Sequence, residues 1–363
     1  MKRKLALFTA VALILAVPCG ISGAVPSTTA PTASKNDVST PWAPILDSAL
    51  PEITRSGASL GSPSKGAFHG VVVDHTTGDV YAVLNKHGIW KSTDQGATFQ
   101  EPTGLVTGFA MRNTSFNVDP AGRRIACFLV YGSGGITTDA GKTWTPFQGV
   151  VRKGFDAGAV DWEVTGGGTM LAILHEINAK ARKLLLTHDS GATWIDLGTG
   201  FYQRGPLGAF DDKTLIAGRT GRDIVRSTDG GASWTHVADL PGEFGQVVYV
   251  RKGVGYLATG NGLLVTKDKG ATWAIQGAPV KAPIGPYFGK DDNHFAVIGG
   301  AGAYETTDGG KTWQLVAPRA RGYSQDYSYA WDPIRDIFYV AQHDRPAVKC
   351  VVAPATAPAG TAK

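Results

Sequence analysis

The sequence predicts an all-β fold, a seven-bladed β-propeller. Three observations lead to this prediction. An eight-residue motif recurs six times, β-rich segments surround each copy, and a seventh unit without the motif follows the last copy. A repeat of about 40 residues is the length of one four-stranded propeller blade.

The motif begins with Ser or Thr, has Asp third and Gly fifth, and ends in Phe or Trp. The copies are Ser92–Phe99, Thr137–Trp144, Thr187–Trp194, Ser227–Trp234, Thr266–Trp273 and Thr306–Trp313. Successive aspartates (Asp94, Asp139, Asp189, Asp229, Asp268 and Asp308) are 45, 50, 40, 39 and 40 residues apart. Short polar side chains that bond to nearby backbone, followed by Gly, favour a hairpin turn. The terminal aromatic residue can pack against the sheet.

The segments around the motif read as strands A to D of a blade. In the first unit, Gly70–Asp74, Asp79–Leu84 and Gly88–Ser92 are β-rich runs, and the motif then joins strand C to strand D. The seventh unit lies near the C-terminus and lacks an obvious outer strand. We expect residues 41–50 to supply that strand and close the ring, because closure removes free sheet edges.

The motif resembles the Asp-box, or BNR, repeat of sialidases, sortilin-type receptors, secreted glycosidases and a photosystem assembly factor. The resemblance implies a propeller over residues 41–353, with Asp-box turns between strands C and D of six blades. It also implies a structural role for the six aspartates. The Arg-Ile-Pro segment that sialidases carry ahead of the first box is missing here, and the nearest arginine is Arg55. The resemblance therefore predicts the fold and leaves the activity open.

The N-terminus reads as an export signal. Lys2, Arg3 and Lys4 precede an apolar run, and small residues end at Ala24, so we expect a signal peptide over residues 1–24. Residues 25–40 read as a flexible leader and 354–363 as a disordered tail. Pro18 stands where a lipobox before Cys19 would need a small residue, which argues against a lipoprotein. The expected location is secreted or periplasmic.

Composition and charge exclude several classes of protein. Three cysteines cannot form a disulfide scaffold, and a mean hydropathy of −0.06 does not fit a membrane bundle. Loss of the three basic residues of the signal would lower the formal charge from +5 to +2. That balance is not typical of a nucleic-acid binder. We expect no cofactor, and no His spacing suggests a metal site.

Chain reversal at every turn divides the loops into two faces. The A–B turns and the Asp-boxes share one face, whereas the B–C loops and the D–A crossings share the other. By analogy with other propellers, the second face holds the ligand. Aspartates that recur at the end of strand A, among them Asp74, Asp119, Asp161 and Asp332, read as turn formers.

The B–C loops and D–A crossings break the repeat and supply the candidate functional residues. His175, Glu176 and His343 are candidates for catalysis, because His and Glu move protons near neutral pH. Arginine binds carboxylate or sulfate with a two-pronged fork. The candidates for substrate binding are His69, His87, Arg112, Tyr131, Arg204, Arg219, Arg222, Tyr323 and Arg345. Exposed aromatic residues would favour a binding role, and Tyr202, Phe244 and Tyr287 join Tyr131 and Tyr323 as residues of that kind.

Three functions remain open at this point. The first is a noncatalytic propeller that binds a ligand, chiefly a glycan, on the face opposite the Asp-boxes. The second is a glycoside hydrolase or a polysaccharide lyase that acts on an anionic glycan. The third is a protein-assembly factor. The expected partner is a glycan or a protein, with no nucleic acid and no membrane span after signal cleavage.

Overall fold

Seven antiparallel sheets make up the structure, and each corresponds to one repeat of the sequence. The computed structural model describes residues 41–45, 68–84, 88–100, 115–149, 154–176, 178, 182–219, 222–322, 328–342 and 345–352. Of residues 68, 69, 342, 345 and 346 it describes only the backbone. The predicted signal peptide, leader and tail lie outside these ranges. None of the described residues forms a helix that could cross a membrane.

Blades one to four run in chain order, with strand A followed by B, C and D. Blade one pairs three strands, and Gln100 bridges to Lys91 in the place of strand D. The strands of these blades are β2 (Phe68–Val73), β3 (Val80–Leu84) and β4 (Gly88–Ser92); β5 (Phe116–Val118), β6 (Ile125–Cys127), β7 (Gly135–Thr137) and β8 (Thr145–Pro146); β9 (Phe155–Val160), β10 (Met170–Leu174), β11 (Leu184–Thr187) and β12 (Ile195–Asp196); and β13 (Leu207–Ala209), β14 (Leu215–Gly218), β15 (Asp223–Ser227) and β16 (Thr235–Asp239).

Blades five and six follow the same order, and blade seven closes the ring. Their strands are β17 (Tyr249–Arg251), β18 (Val254–Thr259), β19 (Gly262–Thr266) and β20 (Ala274–Gln276); β21 (Ile284–Phe288), β22 (Phe295–Ile298), β23 (Gly302–Thr306) and β24 (Gln314–Pro318); and β25 (Ser328–Asp332), β26 (Ile337–Gln342) and β27 (Arg345–Val351). The outer strand of blade seven is β1 (Trp42–Pro44), which pairs with β27. The expected closing strand within residues 41–50 is therefore confirmed, over a shorter range.

The core is divided into seven apolar clusters, each between two neighbouring blades. One of them joins blade seven to blade one, with Tyr339 and Trp90 fully buried in it. Strand A of each blade lies innermost. Across the junction between blades seven and one, the Val71 amide donates to Ser328 Oγ at 2.9 Å. The fold is the predicted seven-bladed β-propeller with Asp-box turns.

All six Asp-boxes have the same hydrogen bonds. In the fourth blade, Ser227 Oγ donates to Asp229 Oδ1 at 2.8 Å, and the Ser233 amide and hydroxyl donate to the two carboxylate oxygens at 2.9 and 2.6 Å. Hydrogen bonds from the Ser233 hydroxyl and amide, followed by that from Ser227, lower the pKa of Asp229 to about 2. The carboxylate oxygens of each aspartate therefore accept hydrogen bonds from groups of the same turn.

Candidate functional site

Hydrogen bonds inside the blades identify the face that carries the Asp-boxes. The Ala140 amide in the second box donates to Arg123 O in the A–B turn of the same blade at 2.8 Å. The fourth box is joined in the same way, by the Gly230 amide to Lys213 O at 3.1 Å. Boxes and A–B turns therefore share one face, and the B–C loops and D–A crossings lie on the other.

The turn aspartates at the end of strand A bind backbone groups locally. Asp161 is buried, and its carboxylate accepts from the amides of Glu163, Val164 and Thr165 at 3.1, 2.9 and 2.9 Å. Asp332 accepts from the Ile334 amide at 2.9 Å and from Arg335 Nη1 at 2.8 Å. These contacts match the turn-forming role expected from their recurrence.

Six of the candidate residues have described side chains on the face opposite the Asp-boxes. They are Tyr131, His175, Glu176, Arg204, Arg219 and Arg222. The side chains of the other six (His69, His87, Arg112, Tyr323, His343 and Arg345) lie outside the described part of the chain. His69, which was expected in a crossing, lies by its backbone in strand β2.

A groove on this face is lined by Arg204, by Arg222 and by residues of three successive D–A crossings. Its volume is ≈ 330 Å³, and its walls are formed by Tyr202, Arg204, Arg222, Glu243, Phe244, Gln246 and Pro283. Arg204, Arg222 and Glu243 are exposed, and Tyr202 and Phe244 are half-buried. The groove thus combines aromatic surface with two cations and one carboxylate.

Backbone hydrogen bonds hold the groove residues in place. The Tyr202 amide donates to Gly218 O at the end of β14 (2.8 Å), and the Gly260 amide donates to Glu243 O (2.6 Å). Phe244 forms an antiparallel bridge with Thr259 at the end of β18. Two of the three crossings are therefore attached to the end of strand B in the blade that follows them.

Aromatic and cationic side chains in the groove contact each other. The Tyr202 and Phe244 rings meet edge to face, with centroids 6.3 Å apart. The Arg222 guanidinium lies 5.4 Å from the Phe244 centroid, and Arg222 Nη2 donates to Gly242 O. Cation–π stacking of this kind orients a guanidinium and keeps its charge.

Three exposed arginines of this region, Arg204, Arg219 and Arg222, form no ion pair with any described residue. Arg219 instead lies 5.8 Å from the Phe201 centroid. Elsewhere, Arg124 pairs with Asp119 at 2.5 Å and Arg335 pairs with Asp332 at 2.8 Å. These three guanidinium groups therefore have no ion-pair partner among the described residues, and a guanidinium group can bind a carboxylate or a sulfate with two hydrogen bonds.

A second cluster, in blade three, contains His175. Its Nδ1 lies 2.7 Å from Asp156 Oδ1, and Arg182 Nε lies 3.9 Å from Asp156 Oδ2. Asp156 lies in strand β9, next to the end of strand β10 that His175 follows. The Tyr131 ring meets the His175 ring edge to face at 5.1 Å. Tyr131 is 54% exposed, whereas His175 Nε2 is buried and has no hydrogen-bond partner among the described residues.

One aromatic residue that was expected to be exposed is buried. Tyr287 was expected on the ligand face, but it is buried in β21 and its hydroxyl donates to Tyr329 O at 3.0 Å. Sequence reasoning also missed Glu243, Gln246, Pro283 and Arg182, which have no motif to mark them.

Glu176 follows His175 in the chain, and its carbonyl accepts from Arg182 Nε at 3.1 Å. Within the described ranges, no three His, Cys, Asp or Glu side chains are grouped to hold a metal.

Comparison with known proteins supports the repeat and the fold. The model of the family "BNR/Asp-box repeat" matches residues 304–315, which include the sixth box. No curated protein matches the chain. The solved structure of a GH74 enzyme from Niastella koreensis is similar at 17% identity and a TM-score of 0.50, over 80% of this chain and 44% of that one.

Two further solved structures are similar over 80% of this chain. One is the extracellular domain of a protein described as a hybrid two-component system from B. thetaiotaomicron (12% identity, TM-score 0.50, 40% of that chain). The other is YCF48 from Cyanidioschyzon merolae (15% identity, TM-score 0.46, 97% of that chain). The chain spans less than half of the GH74 enzyme and of the two-component domain. The chain is a seven-bladed β-propeller, and one of the six copies of its motif matches the BNR/Asp-box repeat model.

Proposed function

We propose that this propeller is an exported, noncatalytic binding protein that holds an anionic glycan in the groove of Tyr202, Arg204, Arg222, Glu243, Phe244 and Gln246. The observation that carries the proposal is the combination of two aromatic rings in edge-to-face contact with arginines that have no carboxylate partner among the described residues. Sugar rings stack on aromatic faces, and guanidinium groups bind carboxylate or sulfate with two parallel hydrogen bonds.

The chemistry of the groove favours binding over hydrolysis. Hydrolysis of a glycosidic bond ordinarily needs two carboxyl groups on either side of the bond. Among the described residues that line the groove, Glu243 is the only carboxylate. Glu243 and Gln246 can accept hydrogen bonds from sugar hydroxyls, while Arg204 and Arg222 bind the anionic substituents.

The proposal is tested with pairs of polysaccharides that differ in charge alone. Binding of the purified chain to polygalacturonate is compared with binding to its methyl ester, and binding to dextran sulfate is compared with dextran. We expect the charged member of at least one pair to bind and the neutral member to bind at least tenfold more weakly, because charge-assisted hydrogen bonds contribute about 1.5–3 kcal/mol each. Added salt should weaken the binding.

Arg222→Ala provides the site-specific arm of the experiment. It should weaken binding of the charged glycan about tenfold or more without unfolding the chain. Lys213→Ala is the matched control, because Lys213 is an exposed cation of the same blade on the Asp-box face. Equal losses in the two variants would show that net charge alone drives binding. If none of the four polysaccharides binds, the glycan proposal is wrong and a protein partner becomes the leading hypothesis.

A second candidate function is a lyase or hydrolase that uses His175. It is favoured by the 2.7 Å contact with Asp156, because a carboxylate that orients an imidazole is an arrangement found at general bases. Product formation from polygalacturonate, followed by reducing ends and by the absorbance of an unsaturated product, tests this function. Loss of product in His175→Ala would support it. A wild-type chain that binds the polymer and leaves it intact would rule it out.

A further inference from the structure

Glu243 lies in the same groove as two arginines and is paired with neither of them. Arg204, Arg222 and Glu243 all line the groove, and all three are exposed. Within the described part of the chain, the Glu243 carboxylate forms no ion pair and no hydrogen bond. The groove therefore presents a ligand with two groups that bind negative charge and one group that binds positive charge.

The Arg222 guanidinium contacts both chain neighbours of Glu243 instead of Glu243 itself. Its Nη2 donates to Gly242 O, and its Cζ lies 5.4 Å from the centroid of the Phe244 ring. The backbone of Glu243 is attached to the next blade, because the Gly260 amide donates to Glu243 O at 2.6 Å. Two opposite charges are therefore placed along one short segment, residues 242–244, without neutralising each other by direct contact.

A ligand that carries only negative charge does not match this arrangement. Its acid groups would bind the guanidinium groups of Arg204 and Arg222, but they would also lie in one groove with the Glu243 carboxylate, and like charges repel. A ligand that carries an ammonium group as well matches all three side chains, because a carboxylate accepts charge-assisted hydrogen bonds from an ammonium group. Glu243 therefore favours a ligand with a positive group beside its negative groups.

We propose that the groove recognises a glycan whose repeating unit carries both an acid group and a free amino group, and that Glu243 is the residue that selects the amino group. The ammonium group of the amino sugar donates to the Glu243 carboxylate, while Arg204 and Arg222 bind the acid groups. This inference rests on the proposed function, because it assigns a narrower ligand chemistry to the same groove.

The test compares a hyaluronan hexasaccharide with its N-deacetylated form, which keeps the carboxylates and exposes an ammonium group on each amino sugar. Calorimetry measures binding to the full chain at about pH 6, where an amine is protonated, and at constant ionic strength. We expect the N-deacetylated form to bind about three- to tenfold more tightly. The sign is decisive, because deacetylation removes net negative charge and would weaken binding to a groove of arginines alone.

A variant of Glu243 and a matched control test the assignment to this residue. Glu243→Gln keeps the shape of the side chain and removes its charge. It should lower the affinity for the N-deacetylated form and raise that for hyaluronan, so the preference should disappear. Asp212→Asn neutralises an exposed carboxylate in the A–B turn of blade four, on the Asp-box face, and should keep the preference.

The outcomes separate this inference from the proposed function. Equal or weaker binding of the N-deacetylated form to the wild-type chain overturns the inference. It is also overturned if Glu243→Gln keeps the preference or if Asp212→Asn loses it as well. If neither form of hyaluronan binds while polygalacturonate does, this inference alone is wrong. If no anionic polysaccharide binds, the proposed function is wrong and this inference falls with it.

Discussion

Asp156 and His175 are joined by a 2.7 Å contact between Oδ1 and Nδ1 in the third blade. Asp156 lies in strand β9, His175 follows strand β10, and the His175 amide donates to Gly154 O at 2.8 Å. Arg182, at the other end of the same loop, faces the second carboxylate oxygen. Both ends of the longest B–C loop are therefore directed at one buried carboxylate.

Removal of either partner of this pair should destabilise the chain. We expect Asp156→Ala to lower the free energy of unfolding by about 3–5 kcal/mol, because His175 and Arg182 lose a buried partner. His175→Ala should cost about 1–3 kcal/mol. Urea unfolding of the single and double variants measures the coupling, which should be at least about 0.5 kcal/mol. Additive losses would mean that the contact contributes nothing of its own.

The fourth position of the Asp-box should prefer glycine. Gln95, Ala140, Ser190 and Lys269 hold this position with φ between 54° and 64°, and the other two boxes have Gly there. A side chain at such a φ costs about 1 kcal/mol. Gln95→Gly should therefore raise the midpoint of urea unfolding, and Gly230→Ala should lower it. The loss in Gly230→Ala would come from the backbone conformation alone, because a Cβ at Gly230 meets no atom closer than 3.7 Å. Shifts of the opposite sign would contradict the backbone argument.

The fifth position should tolerate nothing larger than glycine. A Cβ at Gly141 would lie 2.4 Å from Tyr81 Cε1 of the preceding blade, and Tyr81 is fully buried. We expect Gly141→Ala to lower the free energy of unfolding by at least about 2 kcal/mol, from the overpacked contact together with the strained φ. The loss should exceed that of Gly230→Ala, the control without a contact. Equal losses in the two variants would mean that the contact with Tyr81 contributes nothing and that the strained φ explains the whole loss of stability.

His75 should make stability fall in mild acid. Its folded pKa of about 4 lies below its ordinary value of 6.5, so only the unfolded chain takes up this proton between those values. Stability from this group is therefore complete above pH 6.5 and falls towards pH 4, by at most about 3 kcal/mol. His75→Gln should show a shallower decline in denaturant titrations over this window. Parallel curves for wild type and variant would refute the prediction.

The Asp-boxes should act in a separate, more acidic window. The pKa values of Asp189, Asp229, Asp268 and Asp308 are lowered from 3.8 to about 2, chiefly by hydrogen bonds inside each turn. A lowered carboxyl pKa contributes stability above pH 3.8, and this contribution is lost as the pH falls towards 2. Asp229→Asn should reduce that acid-dependent loss and leave the decline between pH 6.5 and 4 unchanged. An altered decline in the upper window would contradict the assignment.

Closure by the N-terminal strand should be essential for stability. Trp42 Nε1 donates to Pro318 O at 2.8 Å, the Ile45 amide donates to Ala347 O at 3.1 Å, and Ile45 is 3% exposed. Removal of residues 1–40 should leave the melting temperature unchanged, whereas removal of 1–45 should lower it strongly. Ile45→Ala should cost about 2–4 kcal/mol by thermal or urea unfolding. Equal stability of the two truncated chains would refute the role of β1.

Local turn chemistry made the fold predictable. Each Asp-box is specified by side chains within eight residues, such as Ser227 and Asp229, so its geometry depends little on the rest of the chain. Six copies near a 40-residue period, with a seventh unit and an N-terminal strand, therefore indicated the ring, its two faces and its closure.

The groove depends on residues that only the ring brings together. Arg204, Arg222 and Phe244 lie on separate crossings and loops, and no spacing along the chain indicates their contact. Tyr287 carries no local signal to distinguish it from an exposed aromatic residue, and its burial follows from the neighbouring blade. The chain alone determined the repeated turns because their hydrogen bonds are local; the tertiary structure decided which loops meet, because contact between blades depends on how the strands pack around the axis.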